Sequence, residues 1–159
     1  MTVQRFDDLE TARTTLIELL GEARHEVFVA SSTLPRTLFD DLQVIDALKR
    51  FALSSPHARV HLQIADIRHW RTDGHRWLPL IQRIPSRFEF RTLVEDYWAR
   101  NGFTEHFVFA DRSLAWCCQT EHPLLGFCNH EDPQNVKIWR DAFAARARFA
   151  AEPSVLRRL

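Results

Sequence analysis

Thr104-Glu105-His106-Phe107-Val108-Phe109-Ala110-Asp111 runs directly into Arg112-Ser113-Leu114-Ala115-Trp116-Cys117-Cys118-Gln119. A polar loop follows, then Gly126-Phe127-Cys128-Asn129-His130. The first two segments are apolar runs too short for helices, and Asp111-Arg112-Ser113 between them has turn chemistry. They read as two neighbouring strands of a hairpin. The return loop carries Pro123, Gly126 and Pro133.

Upstream, strands and helices alternate. Leu9, Ala12, Leu16, Leu19, Leu20 and Ala23 fall on one helical face, with Asp7 or Asp8 available as a cap. Glu26–Ser31 is a short apolar run and reads as a buried strand, with Ser31-Ser32-Thr33 as hydroxyls at its exit. Leu38–Leu53 has the stripe of a second helix, and Pro56 closes it. Arg59–Ala65 alternates as a strand. Asp73 caps a third helix containing His75, Trp77 and Pro79, and Arg87–Leu93 alternates again. Asp96–Phe103 reads as irregular, with Tyr97 and Trp98 as a lid over a cleft. Gln134–Ala150 forms the last helix, with Trp139 in its buried stripe. The order predicts an α/β fold with a mixed, mainly parallel sheet and helices on both faces.

At 159 residues, 45% hydrophobic and 26% charged, the chain predicts a single domain over residues 1–151 and a loosely held tail over 152–159. No run spans a membrane and no signal peptide is legible, so a cytoplasmic location is expected. Cys117, Cys118 and Cys128 are expected to be reduced and buried rather than metal ligands. Cys118, His122, Cys128 and His130 match no standard zinc spacing, and no metal or cofactor is predicted. Net formal charge is zero, yet residues 59–91 carry seven basic and three acidic side chains. That segment either faces an anion or forms a solvated surface. With four glycines and no glycine-rich phosphate loop, nucleotide-binding loops are excluded; no nucleophile elbow is present.

The strand–helix alternations, the hairpin, Gly126-Phe127-Cys128-Asn129 and the C-terminal helix resemble one half of the phospholipase D superfamily. The resemblance implies a three-layer sandwich. It also implies a His-x-Lys-x-x-x-x-Asp motif on the hairpin, a Gly/Ser-x-Asn segment after it, and two halves facing each other, hence a homodimer. With Asp111 as the motif's Asp, Thr104 stands at the His position and His106 at the Lys position. With His106 as the motif's His, Val108 stands at the Lys position and Ser113 at the Asp position. Either register loses a required group, because Thr without a base is a poor nucleophile and Val neutralises no phosphate. The chain is also similar to an uncharacterised group of bacterial phospholipase D-like domains with degenerate motifs, some of which follow an acetyltransferase domain.

His106 is either the remaining catalytic candidate and anion ligand or a buried histidine with a satisfied hydrogen bond. Asn129 and His130 either bind an anion or stitch their loop to the backbone. His75 either contacts phosphate at a helix N-terminus or decorates the surface. Thr104 joins this ligand-binding set through the preferred register. Asp111 reads as a turn residue. Trp98 and Trp116 are candidates for a subunit interface. The expected function is non-catalytic binding of a partner protein or a phosphate-containing ligand; nucleic acid has weaker support. The alternatives are a divergent phosphodiesterase or nuclease using His106 from each subunit, and an accessory domain of an acetyltransferase.

Overall fold

A computed structural model describes residues 3–94, 97, 98, 100 and 102–153. Residues 154–159 of the expected tail, and Asp96, Ala99 and Asn101 of the irregular stretch, lie outside the described residues.

The elements are β1 (Val3–Phe6), α1 (Leu9–Glu22), β2 (Glu26–Ser31), α2 (Arg36–Phe39), α3 (Leu42–Leu53), β3 (Arg59–Ile64), α4 (Trp70–Asp73), α5 (Trp77–Arg83), β4 (Phe88–Leu93), β5 (His106–Ala110), β6 (Leu114–Glu121), β7 (Leu124–Asn129), α6 (Pro133–Arg146) and β8 (Ala150–Ala151). They build one sheet in the order β1-β7-β6-β5-β2-β3-β4-β8. The sheet is mixed, but its pairings are mainly antiparallel, which corrects the expected parallel majority. Among the described residues, only β2–β3 and β3–β4 pair parallel. Parallel neighbours need crossover connections, and β2–β3 and β3–β4 are the adjacent pairs joined that way, through α3 and through α4 with α5. From β5 to β7, tight turns force antiparallel pairing.

Aspartates start α1, α3 and α6, but Asp73, expected to cap the third helix, instead ends α4, and α5 follows Arg76. The Asp8 carboxylate accepts from Thr11 N at 2.7 Å, Asp41 from Gln43 N and Val44 N, and Asp132 from Asn135 N. Leu38–Leu53 is not one helix. Asp40 interrupts it at φ −90° and ψ 59°, and α3 begins afresh after Asp41. The break is held because the Asp40 carboxylate takes Arg36 Nε at 2.9 Å and Arg76 Nε at 2.7 Å.

Two cores flank the sheet. On one face, α1, α3 and α5 pack on alternate residues such as Val27, Val29, Leu62, Val108 and Trp116. Trp116 is fully buried there, its indole donating to Ala12 O and Thr15 Oγ1, so it cannot serve as the expected interface residue. Phe6 stacks on it at 5.5 Å. On the other face, α6 covers an aromatic layer centred on Phe28 and Phe109. Trp139 contacts Phe107 and Phe109 but is only half-buried. Gln63 pins the end of α6 by donating to Phe143 O at 2.8 Å and accepting from Arg146 Nε at 3.0 Å.

β7 occupies what read as a return loop. Gly126 is what lets it pair: a Cβ there would overlap the Cys117 carbonyl and the Phe6 ring. Asp111 sits at φ 53° in the β5–β6 turn and reaches back to the start of β2. Its carboxylate accepts from Arg24 N at 2.8 Å, His25 N at 2.9 Å and Glu26 N at 3.1 Å. The turn role expected of Asp111 is therefore joined to a long-range one.

Candidate functional site

The carboxyl ends of β2, β3 and β6 and the start of β5 meet at one edge of the sheet, the position where open α/β sheets place ligands. A half-open cleft of about 160 Å³ lies at that edge between the β2 and β3 exits, lined by Thr33, Leu34, Arg36, Asp66, His69 and His75 among others.

Beside it runs a buried polar chain. Ser31 ends β2 and His106 begins β5, and both point to the face packed by α1. Ser31 Oγ is 2.7 Å from His106 Nδ1, and His106 Nε2 is 2.6 Å from Glu121 Oε1. Ser31 Oγ accepts the Leu34 N–H at 2.9 Å, so its own hydrogen is free for Nδ1. Leu34 O in turn accepts from His75 Nε2 at 2.9 Å, and His75 Nδ1 takes the Trp77 N–H at 3.3 Å. Every donor meets an acceptor when both histidines are neutral and carry their proton on Nε2. Burial favours that state: desolvation lowers both histidine pKa values, and the Glu121 hydrogen bond opposes it only in part at His106.

Ser31, His106 and Glu121 have the residue types of a serine relay. Ser31 and His106 are, however, completely buried, while the Glu121 side chain is 34% exposed. Phe39 packs edge-on to the His106 ring at 6.2 Å. His106 therefore does not line the cleft, and the reading of it as an accessible nucleophile is corrected: it is fully buried at the start of a central strand, with Phe39 of α2 against its ring.

The other sequence candidates are not brought to His106. Asn129 lies three rungs along the sheet, since His106 pairs with Cys118 and Cys118 with Gly126, whereas Asn129 pairs with Ala115. It also points to the opposite face, and its Oδ1 accepts the Glu131 N–H, the loop-stitching role. His130 binds Glu22 at 2.7 Å beside Cys128, at the far end of α1. His75 is buried and stacks on Trp70 at 4.4 Å, so it neither decorates the surface nor waits at a helix start; α5 begins only at Trp77. Thr104 alone is exposed, leading into β5. Tyr97 stacks on Phe149, and Trp98 meets edge-on Phe103, which joins the aromatic layer on the α6 face rather than covering the His106 face.

Sequence reasoning placed Ser31 at a strand exit without a partner and missed Glu121 altogether. A bulge between Cys118 and Thr120 shifts the parity of β6 and brings Glu121 onto the His106 face. Strict alternation from Trp116 would have sent it to the other side.

Several arginines of 59–91 are engaged one by one. Arg68 pairs with Asp66, Arg76 with Asp40, Arg87 donates to Ala52 O, and Arg91 lies beside Glu89 on β4. Burial pushes the Asp40 carboxyl up, but the bonds from Arg36 and Arg76 outweigh it and hold its pKa below the usual value. The Arg68 bond likewise lowers that of Asp66. All three cysteines are buried and unpaired; desolvation raises Cys118 to about 11, Cys128 to about 12 and Cys117 further still, so they are thiols, not nucleophilic thiolates. Among the described residues, no three His, Cys, Asp or Glu side chains are grouped to hold a metal, and no helix is long and apolar enough to cross a membrane.

A family model for a domain of unknown function, DUF7931, matches residues 8–159. No curated protein matches the sequence. Solved structures do. NucT from Helicobacter pylori superposes with a TM-score of 0.68 at 10% identity, over 96% of this chain and 99% of that one. Nuc from Salmonella typhimurium, a phospholipase D family member, gives 0.60 at 14% identity over 96% and 97%. TrmBL2, an archaeal chromatin protein with a novel mode of DNA binding, gives 0.64 at 13% identity; it is matched over 96% of this chain but 55% of its own, so the chain spans about half of its length. The fold is that of the phospholipase D superfamily; at these identities the likeness extends to the fold alone.

Proposed function

The chain belongs to the DUF7931 family, and we propose that here the phospholipase D fold serves binding rather than phosphodiester hydrolysis. The observation that carries this reading is the burial of His106, with both ring nitrogens bonded to Ser31 and Glu121. A nucleophile or base must come within hydrogen-bond reach of its substrate. His106 is buried with both ring nitrogens engaged, and Thr104, the exposed residue in the preferred motif register, is of a type that is a poor nucleophile without a partnered base. A divergent diesterase built on His106 of two subunits would need that ring at the surface.

The binding edge is the strand-end cleft, whose lining mixes Arg36 and His69 with Asp66 and Asp73. Mixed charge and zero net charge fit a protein partner or a small phosphate-containing ligand better than a long polyanion.

The test is hydrolysis of bis(p-nitrophenyl) phosphate by the wild type and His106→Gln, with and without divalent metal. Neither protein is expected to exceed buffer. Turnover by the wild type that disappears in His106→Gln would overturn the binding reading. Titration of the wild type with inorganic phosphate and with single-stranded DNA, followed by NMR at the amides of Ser32, Thr33, Leu34 and Arg36, then separates the ligand classes.

A further inference from the structure

Leu34 adopts φ 54°, a left-handed backbone that a leucine rarely takes. Hydrogen bonds hold it from both sides. Its N–H goes to Ser31 Oγ, and through that hydroxyl to His106; its C=O goes to His75 Nε2. Trp70 adds a third tie by donating to Thr33 O at 3.2 Å, and it stacks on His75. The segment Ser31–Pro35, which walls the cleft, is thus clamped between two buried histidines 31 residues apart in sequence.

We propose that this clamp is an acid-sensitive latch: with His75 and His106 neutral it holds the cleft wall at residues 31–35, and protonation of either ring loosens it.

The chemistry is specific at each end. A proton added to His106 must go to Nδ1, which then becomes a donor facing Ser31. Ser31 Oγ would receive hydrogens from both Nδ1 and Leu34 N, and its own hydrogen, fully buried, would lose its acceptor. A proton added to His75 also goes to Nδ1, and sets two donors against each other at the 3.3 Å contact with Trp77 N. The groups around each ring are few. His106 faces Ser31 from β2, Glu121 and Cys118 from β6, Phe39 from α2, and Glu105 beside it in sequence. His75 faces Leu34, Trp70 and Trp77, with Asp40 favouring the charged ring and Arg36 and Arg76 opposing it. The strain at Leu34 biases the segment toward release once a bond is lost.

The wild-type protein itself provides the test. Amide hydrogen exchange is followed by NMR from pH 7.5 to 5, each rate divided by its intrinsic value at that pH, for Leu34 and for Val29 in the middle of β2. The latch predicts that protection of Leu34 falls at least tenfold while that of Val29 holds, and that both rings give the Nε2–H tautomer in imidazole nitrogen spectra at pH 7.5. Leu34 protection that stays flat, or that falls in step with Val29, overturns it. A second arm uses His75→Gln, whose side-chain amide can donate to Leu34 O but does not titrate in this range. It is expected to retain part of the acid response through His106; loss of protection at pH 7.5 equal to that of the wild type at pH 5 would assign the clamp to His75 alone and refute the two-ended latch.

Discussion

His106 Nε2 lies 2.6 Å from Glu121 Oε1, the first ring completely buried and the second side chain one-third exposed. A neutral imidazole needs only an acceptor from Glu121, not a charge. Glu121→Gln is therefore expected to lose less than about 1 kcal/mol at pH 7.5, since an amide oxygen accepts the same proton, whereas Glu121→Ala leaves the buried Nε2–H unpaired and loses about 1–3 kcal/mol. Urea unfolding of the two variants decides; equal losses would mean that the ring is charged.

Both buried histidines have pKa values lowered by desolvation. The sign follows: between the folded values and the ordinary value of about 6.5, the unfolded chain binds more protons than the folded one. Stability is complete above that value and falls as pH drops below it, by at most about 1.4 kcal/mol per pH unit for each ring. The carboxyls of Asp40 and Asp66, lowered from 3.8, add their own loss only at more acid pH. Denaturant unfolding between pH 7.5 and 4.5 is expected to show the histidine limb, with a shallower slope in His106→Gln.

Asp111→Ala removes the acceptor of three backbone N–H groups and puts alanine at φ 53°. The expected loss is about 2–4 kcal/mol. Asn tolerates the left-handed backbone and keeps one oxygen, so Asp111→Asn is expected to lose about half as much. Thermal unfolding ranks the two, and the reverse order would contradict the clamp.

Gly126→Ala is expected to cost about 3 kcal/mol or more, because the added methyl meets the Cys117 carbonyl as well as the Phe6 ring and backbone cannot swing aside. Phe6→Ala in the same background tests the mechanism. If the ring is the main obstacle, the double variant recovers stability; if the carbonyl is, the losses add.

What the sequence made legible was carried by local physics. The α1 stripe, the buried run of β2 and the turn at Asp111 each depend on spacing that neighbours cannot alter. The misses have long-range causes. β1 is mostly exposed and carries no period, and β7 looks like a loop because Gly126 punctuates it, although that glycine is there to admit Phe6. The break at Asp40 depends on Arg76, which arrives from 36 residues away. The polar chain was half visible: Ser31 and His106 were both noticed, but pairing them requires knowing that β5 lies antiparallel to β2, and Glu121 requires the bulge.

The sheet has a seam. On one side stands the β2–β3–β4 crossover unit, on the other the β5–β6–β7 meander, and they join where β5 lies along β2. A meander of short turns can close in microseconds, but the Asp111 carboxylate finds its partners only across 85 to 87 residues of intervening chain. Joining of the two halves is then expected to be the slow event of folding. The carboxylate that fastens the seam acts after that event, as a brake on separation: its loss is expected to speed unfolding far more than it slows folding.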